Sequence, residues 1–153
     1  MLESIDHINL VVADLERMAA FYGKVLGLVE TKRATISGEW IGRVVGLEAV
    51  TAEVIYLDPP SGPRVELIRY VEPDGARPQG LGLSNTHGLR HLAFRVADID
   101  AAVRSLRDAG IEILSDVQTV PEAQVTYEGG VRKQLVYFRD PEGNLLELCE
   151  YKR

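Results

Sequence analysis

Two histidines and two glutamates recur in matched surroundings along this chain of 153 residues. His7 opens the run HINLVVADL, and His91 opens HLAFRVADI 84 residues later. Glu66 opens ELIRY and Glu147 opens ELCEY, 81 residues apart. Imidazole nitrogen and carboxylate oxygen are donors suited to zinc, nickel, cobalt, manganese or iron. Glu66 lies between Val65 and Leu67, and Glu147 between Leu146 and Leu148. A carboxylate so placed is costly to bury unless it is paired or bound to a metal. A single histidine or glutamate on a strand is usually structural or faces solvent. Four of them in repeated contexts point instead to one shared site, a divalent ion held by His7, Glu66, His91 and Glu147. The third histidine, His87, sits in the loop sequence NTHG and reads as a surface residue.

Each half must supply the elements that position these groups. After the first strand, Leu15, Met18, Ala19, Tyr22, Val25 and Leu26 mark one helical face, and Ile99, Ala102, Val103 and Leu106 mark another. Asp14 and Asp98 stand where a carboxylate caps the first turn. Gly27 and Gly110 stand where a helix ends left-handed. The β-rich runs AEVIYL (52–57) and KQLVYF (133–138) precede the turn sequences DPPSG and DPEGN. Each half therefore reads as strand, helix, two strands, a hairpin turn and a last strand. Alternation along the first strand puts His7, Asn9 and Val11 on one face and Ile8, Leu10 and Val12 on the other. His91, Ala93 and Arg95 share a face in the same way. The apolar faces should pack on the helices, leaving the histidines on the concave side of a curved sheet. The expected division is a first module at 1–71, a Gly- and Pro-rich linker at 72–88 and a second module at 89–153, all in one structural domain.

Bulk properties narrow the partners. Hydrophobic residues make up 46% and charged residues 26%, as in ordinary globular proteins. A net charge of -6 argues against nucleic acid and anionic membranes as partners. No apolar run is long enough to span a bilayer, and MLESIDH lacks the pattern of a secretory signal. Cys149 is the only cysteine, so no internal disulfide forms and a cytoplasmic location is the expectation. Cys149 itself reads as a small apolar filler near the site.

The stretches DHINLVVADLERMAAFYGKVLGL, VELIRY, GLRHLAFRVADIDAAVRSLRDAGI and FRDPEGNLLELCEY resemble the vicinal oxygen chelate superfamily. That superfamily includes glyoxalase I, methylmalonyl-CoA epimerase, extradiol dioxygenases and bleomycin-resistance proteins. The resemblance implies an α+β fold of two tandem βαβββ modules, forming a curved, partly open mixed sheet around a metal site. It places the metal ligands on the first and last strands of each module, the positions of His7, Glu66, His91 and Glu147. It also implies a homodimer and a small-molecule substrate. A carboxylate at the second ligand position favours the four-ligand branches, glyoxalase I and the epimerase. The arginine and asparagine that help glyoxalase I hold glutathione are replaced by Val11 and Tyr70. Glu48 falls near the position of the epimerase base, while Glu66 stands where the epimerase usually has glutamine.

The implied activity is lyase or isomerase chemistry by proton transfer next to a metal-bound carbonyl, with Glu147 displaced from the metal, or else Glu48, as the base. The alternatives are an extradiol-type ring-cleaving dioxygenase and a non-catalytic drug- or metabolite-binding resistance protein. Four further residues are assigned to substrate. Arg95, on the His91 face, suits an anionic substrate group or an internal salt bridge. Trp40 and Arg43 lie in SGEWIGRVVGL, which reads as a lid, a dimer contact or a short helix packing Trp40 on the core. Tyr127 lies in the polar stretch 115–130, and long loops of this kind often bind ligands.

Overall fold

A computed structural model describes all residues, Met1–Arg153. The chain divides into two compact units, 1–77 and 78–153, and the division falls inside the stretch 72–88. The first unit runs β1 (His7–Val11), α1 (Leu15–Ala20), β2 (Val29–Ser37), α2 (Glu39–Val45), β3 (Thr51–Asp58) and β4 (Arg64–Glu72). Its four strands lie in the order β1-β4-β3-β2, with β1 parallel to β4 and the other pairs antiparallel. Ile55, Leu57, Val65 and Leu67 share one face of β3 and β4 and are almost wholly buried. Helix α1 packs against these two strands, and the core also holds Leu15, Met18, Phe21 and Tyr22. Beyond Ala20 the helix widens into a π turn, Phe21–Val25. Within it the adjacent rings of Phe21 and Tyr22 are both buried, edge to face with centroids 5.1 Å apart.

The second unit runs β5 (His91–Arg95), α3 (Ile99–Asp108), β6 (Gln118–Thr119), β7 (Arg132–Arg139) and β8 (Leu145–Lys152). Its sheet order, β5-β8-β7-β6, repeats that of the first unit, again with the first strand parallel to the last. The two-module α+β fold is therefore present as two four-stranded mixed sheets, one in each unit. The repeat is imperfect. β6 has two residues where β2 has nine, and only a loop with a short 3-10 turn, Glu128–Gly130, lies between β6 and β7, where the first unit has α2.

The helix signals read from sequence operate as expected. Asp14 accepts from the Arg17 amide at 3.0 Å and Asp98 from the Ala101 amide at 2.8 Å. Gly27 and Gly110 adopt positive φ of 77° and 72°, a region open to glycine at no steric cost. In α3 a second first-turn amide, that of Ile99, donates to buried Glu150 on β8 at 2.8 Å. One acid from the helix and one from the sheet thus satisfy donors that a helix start leaves free. In the DPEGN turn the Asp140 carboxylate accepts from the amides of Glu142 and Asn144 and from the Asn144 side chain.

Candidate metal centre

Strand register, rather than sequence proximity, assembles the polar groups of the first unit. Asn9 lies opposite Glu66 across the parallel β1–β4 pair, and Tyr56 lies opposite Glu66 across β3–β4. All three side chains, with His7, therefore share one face. Asn9 donates to Glu66 Oε2 at 2.8 Å, and the Tyr56 hydroxyl also hydrogen-bonds to Glu66. His7 Nε2 stands 3.4 Å from the same Oε2. The other ring nitrogen of His7, Nδ1, is 2.8 Å from the Asp6 carboxylate. An ionised carboxylate can only accept, so Nδ1 carries the proton and Nε2 of a neutral ring is left with its lone pair. The hydrogen bond to His7 holds the Asp6 carboxyl below its ordinary value. A carboxylate behind the distal nitrogen is the usual arrangement for a metal-binding histidine.

The second unit repeats the core of this arrangement with different support. Ala93 and Tyr137 lie opposite Glu147 from its two sides. His91 Nε2 stands 3.3 Å from Glu147 Oε2. The His91 and Tyr137 rings are 5.0 Å apart. Where Asn9 supports Glu66, Ala93 offers nothing, and Lys133 takes over, with its ammonium 2.7 Å from Glu147 Oε1. The Glu147 side chain is only 4% exposed, against 13% for Glu66. Burial pulls the Lys133 pKa down, but the adjacent carboxylate more than reverses this, and the group ends above its ordinary value. Burial and the charge of Glu147 raise the Tyr137 phenol. Cys149, two residues along β8, is buried, and burial raises its thiol pKa.

The histidine–glutamate spacings fit a metal better than a hydrogen bond. Separations of 3.3 and 3.4 Å exceed the range of about 2.7–3.2 Å for an N–H···O bond. Two donors bound to one ion at about 2.1 Å stand roughly 3.0–3.4 Å apart at right-angle or tetrahedral geometry. Each unit thus presents one nitrogen and one oxygen at the spacing of neighbouring ligands. No third histidine, cysteine or acid joins them to complete a cluster within a unit.

The remaining assigned residues are placed differently. Glu48 is exposed in the turn between α2 and β3. Of the three readings of the stretch around Trp40, the short helix forms, as α2, but Trp40 does not pack on the core. Trp40 is 58% exposed, and its neighbour Ile41 is buried in a cluster with Val50, Ala52, Val54 and Ile68. The helical phase that turns Ile41 inward turns Trp40 out. Arg43 pairs with Glu39 one turn back along α2. Arg95 makes no salt bridge to an acid, and its guanidinium lies over the Tyr151 ring, 5.2 Å from the centroid. Tyr127 meets the same ring edge-on at 5.5 Å. His87 is exposed.

Sequence reasoning missed Tyr56, Tyr137, Asn9, Asp6 and Lys133. The tyrosines carried a signal, since they repeat at the same 81-residue offset as the glutamates. The hydrogen bond to Glu66 leads the causes that push the Tyr56 phenol up to about 12. A raised folded-state value means that folding favours the protonated phenol. Its stabilisation is complete below the ordinary value of about 10 and is lost as pH rises through 12. Alkaline titration of the tyrosine absorbance near 295 nm is expected to show a late-ionising phenol that Tyr56→Phe removes. An unchanged late phase in that variant would place the shifted group elsewhere.

A βαβββ duplication with histidine and glutamate on the outer strand pair of each module defines a class of chelating folds. A family model described as Glyoxalase/Bleomycin resistance protein/Dioxygenase superfamily matches residues 4–148. The chain belongs to that superfamily. It is 32% identical over 149 residues to a 2-epi-5-epi-valiolone epimerase of Actinomyces sp, covering 95% of this chain and 78% of that protein. It is 22% identical over 152 residues to a protein named glyoxylase I 4 of Arabidopsis thaliana, covering 97% of this chain and 71% of that one. Among solved structures, a glyoxalase family protein from Bacillus cereus superposes with a TM-score of 0.83 at 31% identity, covering 100% of this chain and 97% of that chain.

Proposed function

We propose that this protein is a metal-dependent isomerase or epimerase that moves a proton next to a carbonyl of a small substrate. The observation that carries the reading is the pair of equivalent His–Glu arrangements, His7 with Glu66 and His91 with Glu147, each at ligand spacing. These four residues would together hold one divalent ion, within a chain or across a homodimer. When bound, that ion supplies Lewis acidity, which lowers the pKa of a C–H beside a chelated carbonyl. Similarity to an epimerase over nearly the whole chain supports the isomerase branch over the lyase branch.

The chain's own groups have distinct parts. Asp6 fixes the tautomer of His7 by accepting from Nδ1. Asn9 and Tyr56 each donate to Glu66 and hold its carboxylate in one orientation. Glu147, displaced from the metal, is the base, and the Lys133 ammonium 2.7 Å from its Oε1 would hold the freed carboxylate in place. Glu48, exposed and outside both pairs, is the second reading for the base.

The reading is tested by incubating metal-loaded protein in heavy water with α-hydroxy ketones, hemithioacetals and acyl thioesters, and following deuterium uptake at carbon by NMR. Uptake into at least one class, lost in Glu147→Gln, is expected. No exchange with any of them, alongside oxygen consumption with a catechol, would replace proton transfer by ring cleavage.

A further inference from the structure

Past the two ligand-type pairs, the matching faces of the two units diverge in charge. In the first unit the face beyond Glu66 continues through Val54, Ile68 and Ala52 and is covered by Ile41 of α2. Val11 ends β1 there, at the position that Arg95 holds on β5. Lys133 stands where the first unit has Ala52, for each lies opposite the matched tyrosine, Tyr151 or Tyr70. The second unit thus exchanges two apolar side chains for two cations at corresponding places. No helix covers them, because the chain between β6 and β7 forms a loop and one short turn.

The two cations converge. Arg95 reaches from β5 and Lys133 from β7, the strands on either side of β8. Both lie over the ring of Tyr151, at 5.2 and 6.0 Å from its centroid. Tyr127 from the loop braces that ring edge-on. Arg95 is exposed and its guanidinium faces a ring rather than a carboxylate, so its N–H fork is open to an incoming group. Lys133 is divided between Glu147 and this neighbourhood.

From this we infer that Arg95, Lys133 and Tyr151 form an oxyanion subsite for the substrate, and that the substrate carries a carboxylate as well as its chelating oxygens. The inference rests on the proposed function for what occupies the Glu147 end. Arg95 pairs in register with Cys149, two residues from Glu147, so the carboxylate lies about 7 Å along the strand from the reacting oxygens. Two cations less one carboxylate leave about one net positive charge, which suits a carboxylate better than a phosphate dianion. Arginine's planar fork matches a carboxylate in two parallel hydrogen bonds.

The test is calorimetric titration of the intact protein with succinate and, separately, inorganic phosphate, with bound metal measured on the same samples. Succinate is expected to bind, Arg95→Met to weaken it about 10-fold or more, Arg95→Lys to fall between, and Arg132→Met, an exposed arginine on the same unit, to leave it unchanged. Equal binding by wild type and Arg95→Met, or no binding by either, overturns the subsite. Phosphate binding ten-fold tighter than succinate overturns the carboxylate assignment. Succinate binding that depends on Arg95 in a protein that takes up no metal keeps the subsite and removes the proposed function. Metal uptake without succinate binding does the reverse.

Discussion

Replacing a single histidine, His7→Ala or His91→Ala, is expected to empty the proposed metal site completely rather than by half. Each unit offers one imidazole nitrogen and one carboxylate oxygen, 3.4 and 3.3 Å apart. Two donors alone hold a divalent ion weakly in water, whereas four give a closed set for zinc and a firm base for a larger coordination sphere. If the two pairs serve one ion, stoichiometry is one ion per chain, and either substitution removes a quarter of its protein ligands. Changing a residue merely behind a ligand already costs 10–100-fold in affinity, so losing a ligand should cost at least about 100-fold. Elemental analysis after dialysis against a fixed, low free-metal concentration reads this directly. Two ions per wild-type chain, falling to one in each variant, would show that the pairs act separately and would end the shared-site proposal.

The second large effect concerns stability of the metal-free protein and turns on Lys133. Glu147 is 4% exposed, and one of its oxygens faces the Lys133 ammonium at 2.7 Å. Lys133→Met would leave that oxygen buried without its cation. Breaking a buried pair from one side costs about 3–5 kcal/mol, because the remaining charge has no compensation. The lower end applies here, roughly 3 kcal/mol, since His91 stays beside the other oxygen. Glu147→Leu should also destabilise, because it strands the cation. The double variant should recover much of the loss, as apolar replacements for both partners are often close to neutral. Urea unfolding of the four proteins gives the coupling energy as a double-mutant cycle. Single variants within about 0.5 kcal/mol of wild type would mean that the pair is solvated and adds little.

This pair also shows where reading the chain alone reaches its limit. Glu147 was visible because it interrupts an apolar strand and repeats Glu66 at a constant offset. Lys133 was not, because nothing local links it to Glu147. The two meet because β7 and β8 run antiparallel in one register, with Lys133 opposite Tyr151 and Glu147 four pairs further on, on the same face. Asn9 and Tyr56 reach Glu66 by the same route, from two different neighbouring strands. Trp40 shows a second kind of limit. A short helix within 37–47 was one of three readings open to the sequence, but its rotation about its own axis was not legible there, and the neighbour Ile41 is the buried residue.

The amino-acid order by itself determined the duplication, the element sequence of each half, the caps at Asp14 and Asp98, the left-handed turns at Gly27 and Gly110, and which residue types could bind a metal. All of these depend on neighbours within a few positions, or on a repeat that comparison of the two halves reveals. Only the tertiary structure decided which side chains stand behind the histidines and glutamates, and that the second unit ends its polar face in Arg95 and Lys133 while the first ends in a covered apolar cluster. The reason is physical. Alternation along a strand is set by the backbone of that strand, whereas the partner across the sheet is set by hydrogen-bond register between segments far apart in the chain.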